Sequence, residues 1–150
     1  VQTTEVTIDA PIQHVFDVLL EPRTYPRWLR GARKIRDVDS AWPEPGSAFH
    51  HQVGVAPLVL NDATTVRELE VPHLLDLKAK ARPAGVAHVR FELEELAGGT
   101  TRVVLREEPE SGPGRTVWSL GGQLWMRPML RARNESSLER LKGVVEGGGT

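Results

Sequence analysis

The sequence predicts an α+β fold: a curved antiparallel sheet of about seven strands wrapped around a long C-terminal helix, with two short helices after the first strand. Three observations carry that expectation. Period-2 segments near 33–39, 47–55, 58–70, 73–82, 86–96 and 100–109 are joined by short turns. An apolar stripe at helical spacing follows the first strand, and only the stretch from Gly114 to Glu146 can supply a helix long enough to cover the sheet. With 39% hydrophobic content, the 150 residues can bury one core without a metal or disulfide staple. Residues 1–146 therefore read as a single domain and 147–150 as a disordered tail.

The first strand, Thr3 to Asp9, alternates Val6 and Ile8 with polar neighbours and stops at Ala10-Pro11. Proline has no N–H to lose at a helix start, and Asp9 is placed to cap that helix. Ile12, Val15, Phe16, Leu19 and Leu20 then fall at i, i+3, i+4, i+7 and i+8, one face of a helix that ends before Pro22. His14 lies off that face, toward solvent. The stretch from Arg23 to Arg30, interrupted by Pro26, has room for only a second short helix before Gly31.

Turns at Pro43-Glu44-Pro45-Gly46, Val71-Pro72, Pro83-Ala84-Gly85 and Gly98-Gly99 leave no crossover between 47 and 109, so neighbouring strands are antiparallel and the sheet is a meander. Leu75, Leu77, Ala79 and Ala81 alternate with Asp76, Lys78, Lys80 and Arg82, and Ala87, Val89, Phe91 and Leu93 with His88, Arg90, Glu92 and Glu94. The first set of each pair needs cover and the second meets water. The cover is the C-terminal segment, with Leu120, Leu124, Leu130, Leu138, Leu141 and Val145. Unbroken, it would run about 50 Å, longer than the domain is wide, so a kink is predicted at Gly121-Gly122 and Pro128, leaving a final helix of about 30 Å from near Arg127. The piece before the kink, with Trp118 and Trp125, becomes a movable flap or entrance wall. Ala79, Ala81 and Ala87 are small inward residues at one end of the sheet, whereas Phe91 and Leu93 are large ones at the other. The interior is therefore expected to be hollow toward the alanines unless Trp28, Trp118 and Trp125 plug it. Trp42, beside Pro43, reads as a loop packing residue.

Nineteen Lys and Arg against twenty Asp and Glu leave a net charge of −1, which provides no general field for nucleic acid. The absence of cysteine excludes thiol catalysis and disulfides. No His-Glu-x-x-His, Gly-x-Ser-x-Gly, phosphate-loop or dinucleotide-glycine motif occurs, and the five histidines are dispersed, so neither a metal nor a cofactor is expected. There is no membrane-length apolar run, and Val1 to Glu5 lack the basic start and apolar middle of a signal peptide. The expected location is the cytoplasm.

Ala10-Pro11, Val15-Phe16, Leu19, Pro22 and Tyr25-Pro26-Arg27-Trp28 resemble the opening signature of the START-like (SRPBCC) superfamily, particularly its polyketide cyclase/dehydrase and lipid transport branch. Val66, Glu68, Pro72 and Leu75 resemble that family's mid-sheet turn, Gly99-Thr100-Thr101-Arg102-Val103 its late hairpin, and Pro128 with Leu138-Glu139-Arg140-Leu141-Lys142 its final helix. The resemblance spans nearly the whole chain and implies a helix-grip fold with a deep ligand cavity. Its members include cyclases, aromatases, lipid carriers and receptors, so it does not fix the chemistry.

Candidate site residues follow from position. His51 shares parity with Phe49, Val53 and Val55, so it faces inward while His50 faces out. It reads as an acid/base group, a ligand-orienting group, or a hydrogen-bonded core histidine. Glu107 shares parity with Val103 and Leu105, which makes it a cavity anchor, a second acid/base candidate, or a strand-end charge. Asp62 and Thr64, in step with Val66, are similar candidates. Asn134 falls on the stripe of Leu130, Leu138 and Leu141, where it can bond a ligand or a neighbouring backbone group. With Trp28, Phe49, Ala79, Phe91, Trp118, Leu124 and Trp125, these residues form the expected lining.

Arg23, Arg27, Arg30, Arg33, Lys34 and Arg36 make a basic stretch over 23–36 that is either a solvated face or a mouth attracting an anionic ligand, a membrane headgroup or an acidic partner. Two functional readings of the cavity result, beside a third in which a stress or partner-regulating module binds another protein through the basic stretch. One is binding or carriage of a small hydrophobic, lipid- or polyketide-like ligand. The other is a cyclase, aromatase or dehydratase using the same cavity with one acid/base residue.

Overall fold

A computed structural model describes residues 2–30, 32–55, 58–81 and 85–147, and within these the side chains of residues 33, 53–60, 81 and 125 also lie outside the description. The disordered tail expected at 147–150 thus falls, beyond Gly147, outside the described residues.

Strand β1 (Gln2–Ile8) leads into α1 (Ile12–Leu19), whose Ile12, Val15, Phe16, Val18 and Leu19 are buried. Val18 rather than Leu20 completes the buried face. The N-cap is Pro11, and no side chain caps the helix. Asp9, expected to cap the helix, lies two residues before the N-cap and does not do so; its backbone N–H donates to the Glu146 carboxylate at 2.7 Å, tying the end of β1 to the last turn of the final helix. A 3₁₀ turn (Pro22–Thr24) and a short helix α2 (Tyr25–Trp28) follow. The Tyr25 hydroxyl donates to the Leu19 carbonyl at 2.6 Å, and Trp28 Nε1 donates to Thr24 Oγ1 at 3.1 Å. These bonds satisfy the polar ends of two rings buried in the core.

The remaining strands are β2 (Ala32–Val38), β3 (Ala48–Val55), β4 (Leu58–Glu70), β5 (Leu74–Ala81), β6 (Gly85–Leu96) and β7 (Thr100–Ser111). They form one antiparallel sheet in the order β1-β7-β6-β5-β4-β3-β2. The meander runs from β2 to β7, and β1 adds to its far edge, so the first and last strands are neighbours. Trp42 packs in the β2–β3 connection, its ring edge-on to Phe49 and its Nε1 donating to the Leu20 carbonyl at 2.8 Å. Among the described side chains, which do not include Ala81 or Arg82, one departs from the expected facing. Asp76, read as water-facing, is buried beneath His88 at 2.7 Å and Arg90 at 2.9 Å, since its cross-strand neighbour Arg90 and the adjacent His88 reach over its short side chain.

Helix α3 (Pro113–Val117) passes through a π-helical turn (Trp118–Gly122) into α4 (Gln123–Glu146). The bend lies at Leu120 and Gly121, where Gly121 has φ 95°. The break is thus at the predicted glycines. Pro128, however, sits inside the second turn of α4, and the helix begins at Gln123 rather than near Arg127; the proline forgoes the backbone bond that another residue at 128 would make to the Leu124 carbonyl, but the helix runs through it. Asn134, Ser137, Leu138, Leu141 and Val145 are the buried face of α4, packed over β1 and against α2. Leu130 is only half-buried. The core gathers α1, the distal half of α4, and Leu75, Phe91, Leu93, Val103 and Leu105 of the sheet.

Candidate functional site

Cross-strand register explains where the interior opens. Phe49 of β3 opposes Thr64 of β4, Thr64 opposes Ala79 of β5, and Ala79 opposes Ala87 of β6. Three successive strands thus put a threonine and two alanines side by side on the concave face. Two residues along, the next row is Val66, Leu77, Val89 and Glu107, and beyond it Leu75, Phe91 and Leu105 close the core. Small side chains in one row cannot reach α4, so a hollow remains.

The cavity has a volume of about 350 Å³, within the range of small-molecule sites. Tyr25, Leu29, Ile35, Phe49, Leu77, Val89, Phe91 and Leu105 provide its larger apolar walls, and Ala32, Ala79 and Ala87 its recess. Polar groups enter from two sides. On β3 and β4, buried His51 places Nε2 3.0 Å from the Thr64 hydroxyl. Burial is the main reason that the His51 ring titrates below the ordinary histidine value; nearby Arg36 and His50 add to the effect, and the charge of Asp62, directly opposite on β4, works against it. On the other side, the Glu107 carboxylate of β7 accepts from Asn134 Nδ2 at 3.0 Å and from the Arg133 guanidinium. Arg30, after α2, and Lys80 of β5 complete the lining. Arg30 is fixed by its backbone N–H, which donates to buried Ser137 Oγ of α4 at 2.9 Å.

The chain matches, over residues 2–146, the family model described as polyketide cyclase / dehydrase and lipid transport. It belongs to that family. No curated protein matches it. Among solved structures of this fold are a Staphylococcus aureus protein of unknown function, 10% identical with a TM-score of 0.70, covering 98% of this chain and 94% of that one. A Geobacillus kaustophilus conserved protein is 12% identical with a TM-score of 0.69, covering 97% and 94%. A Thermus thermophilus protein is 16% identical with a TM-score of 0.67, covering 99% and 98%. At these identities the likeness establishes the fold.

In this member of the polyketide cyclase / dehydrase and lipid transport family, the cavity brings together six of the residues expected to line it: Phe49, His51, Ala79, Phe91, Glu107 and Asn134. Trp28 is not among them; it lies wholly buried behind Tyr25 and Phe91, edge-on to both, and closes the core. Trp118 is buried at the bend, with the Arg127 guanidinium 5.3 Å from its ring centroid, and is not among the residues that line the cavity. Leu124 is an outright correction. It points to solvent from the first turn of α4, in the stretch from Gln123 to Arg133 where no described side chain is buried; the buried stripe begins only at Asn134. The Trp125 side chain lies outside the described residues.

Sequence reasoning did not foresee Lys80 or Arg133 as lining. Lys80 has outward parity, but its long stem reaches the rim. Arg133 was legible only as the neighbour of Asn134 facing an inward Glu107. Of the basic stretch 23–36, Arg30 alone lines the cavity; Arg23, Arg27, Lys34 and Arg36 are exposed, and the Arg33 side chain is outside the description. Among the described residues, no group of three metal-ligating side chains occurs, and no helix is long and apolar enough to cross a membrane.

Proposed function

We propose that this protein binds and carries a small, mainly apolar molecule with a polar or anionic end. The observation that carries this reading is the cavity itself: an apolar recess formed by the row of Thr64, Ala79 and Ala87, with polar side chains confined to its sides and rim. Burying about 300 Å² of apolar ligand surface contributes roughly 7 kcal/mol before the cost of association, so the apolar part provides most of the affinity. Glu107 is already bonded to Arg133 and Asn134, whereas Arg30 and Lys80 have no carboxylate partner among the described residues. That balance favours an anionic end at the rim, such as a carboxylate.

Native mass spectrometry of freshly purified protein, followed by denaturing extraction, tests the reading. A defined small molecule leaving with the protein supports it. Titration with a medium-chain fatty acid and with the alcohol of equal length then separates the two parts of the proposal. Failure of both to bind removes the carrier reading, and equal binding removes only the anionic end.

One observation favours the enzymatic reading as a second possibility. A His51 ring kept neutral by burial, with a hydroxyl 3.0 Å from Nε2, is suited to accept a proton from a confined polyketone chain. Turnover of a surrogate polyketone that disappears in His51→Ala at unchanged stability would establish it. Glu107, held by two donors, suits anchoring better than proton transfer.

A further inference from the structure

Five large hydrophobic side chains stand exposed among the described residues, and four of them, Val117, Leu120, Leu124 and Met129, lie along the segment where α3 bends into the first turns of α4. Leu120 and Leu124 are 83% and 85% exposed, almost as open as in an unfolded chain. Gly121, at φ 95°, turns the backbone between them, so Leu120 sits at the bend and Leu124 in the first turn of α4. The bend is built rather than loose: Trp118 is buried beneath it, and a Cβ at Gly122 would collide with the Val117 carbonyl oxygen.

The charge of the same segment is one-sided. From Ser111 to Asn134 there is no Asp or Glu, while Arg115, Arg127, Arg131 and Arg133 all fall within it. Arg133 is bonded to Glu107, and Arg131 meets only the exposed Glu135. Arg115 and Arg127 have no carboxylate partner among the described residues; Arg127 contacts Gln123 and the Trp118 ring. Leu124, Arg127 and Arg131 follow at i, i+3 and i+7, so they share one face of α4. Separate apolar tips flanked by unopposed arginines match an anionic lipid surface, which receives leucines at the acyl boundary and guanidinium groups among its phosphates. A protein partner would instead favour a contiguous, packable apolar patch.

We infer that the 115–131 end of the molecule docks on an anionic lipid bilayer, with Leu120 and Leu124 inserted and Arg115, Arg127 and Arg131 on the headgroup phosphates. Arg133, at the cavity, lies about 14 Å along α4 from Leu124, so docking brings the cavity close to the membrane surface. The inference stands without the carrier reading, since it uses none of the cavity residues.

Flotation of the full chain with vesicles tests it. Binding is expected to phosphatidylcholine vesicles containing phosphatidylglycerol, not to pure phosphatidylcholine, and is expected to fade as salt is raised. Leu120→Glu with Leu124→Glu should weaken it at least about tenfold with unchanged thermal melting, and Arg127→Gln should weaken it about fivefold at low salt. Absence of binding to the mixed vesicles at low salt overturns the proposal. So does equal binding by the double leucine variant. Concentration-dependent self-association that the leucine variant abolishes, without any vesicle binding, would assign the patch to a second copy of the chain instead.

Discussion

His51 shows how one residue carries two consequences of its position. Parity puts it on the concave face, and burial there disfavours its charged form, so the folded state holds the proton less tightly than the unfolded chain does. The unfolded state then binds more protons in the window between the depressed folded value and the ordinary value of about 6.5. Stability therefore falls as pH drops from neutrality through that window and levels off below the folded value. Chemical denaturation of wild type and His51→Gln from pH 8 to 5 should show the extra acid sensitivity in wild type only. Parallel curves would mean that the imidazole is not buried as described. Thr64 is part of the same small system, since its hydroxyl lies within hydrogen-bond distance of the ring Nε2 at 3.0 Å. The sequence made the facing of His51 legible, but not this partner, because periodicity fixes which face a residue takes and leaves the register between β3 and β4 open.

At the level of elements, the strands were readable because most alternate and are bounded by turn residues, the 58–70 strand alternating least. The site was readable only where it follows from that alternation. Phe49, Ala79, Phe91 and Glu107 are inward by parity alone, whereas Leu124 misled because helical spacing does not say which turns of α4 meet the core, and the described side chains from Gln123 to Arg133 are not buried. The row of Thr64, Ala79 and Ala87 gives a direct test of the recess. Ala79→Leu adds a branched side chain to the space between the sheet and α4, and should abolish co-purification of any ligand while leaving the melting temperature equal or higher. Loss of folding with retained ligand would contradict the geometry. The bend offers a paired test. Gly121 has φ 95° and no neighbouring atom in the way of a Cβ, so Gly121→Ala should cost about 1–2 kcal/mol through backbone strain alone. Gly143, inside α4 and equally unobstructed, should gain roughly 0.5–1 kcal/mol on Gly143→Ala. Urea unfolding of the two variants should move in opposite directions, and a shift of the same sign would refute the local conformations assigned to them.

The whole molecule is a sheet closed by its first and last elements: β1 pairs with β7, and α4 lies over β1 with Glu146 bonded to the backbone of Asp9. One end of this frame is filled by the core of α1, α4 and the larger sheet residues, and the other holds the cavity. A hollow lined by apolar side chains forgoes the contacts a packed core would make, so an occupant that restores them stabilises the fold. Mass action sets the size of this effect, about 2.7 kcal/mol when the ligand is present at about a hundred times its dissociation constant. For a chain of this length, that corresponds to a rise in melting temperature of roughly 5–10 °C. Protein stripped on a hydrophobic resin should melt lower by that margin than freshly purified protein, and adding back the extracted molecule should restore the difference. Ala79→Leu should melt at one temperature with or without the extract, because its recess is already occupied by its own side chain. An extract that raises the melting temperature of wild type and Ala79→Leu equally would be acting on another surface, and the link between the cavity and ligand-dependent stability would fail.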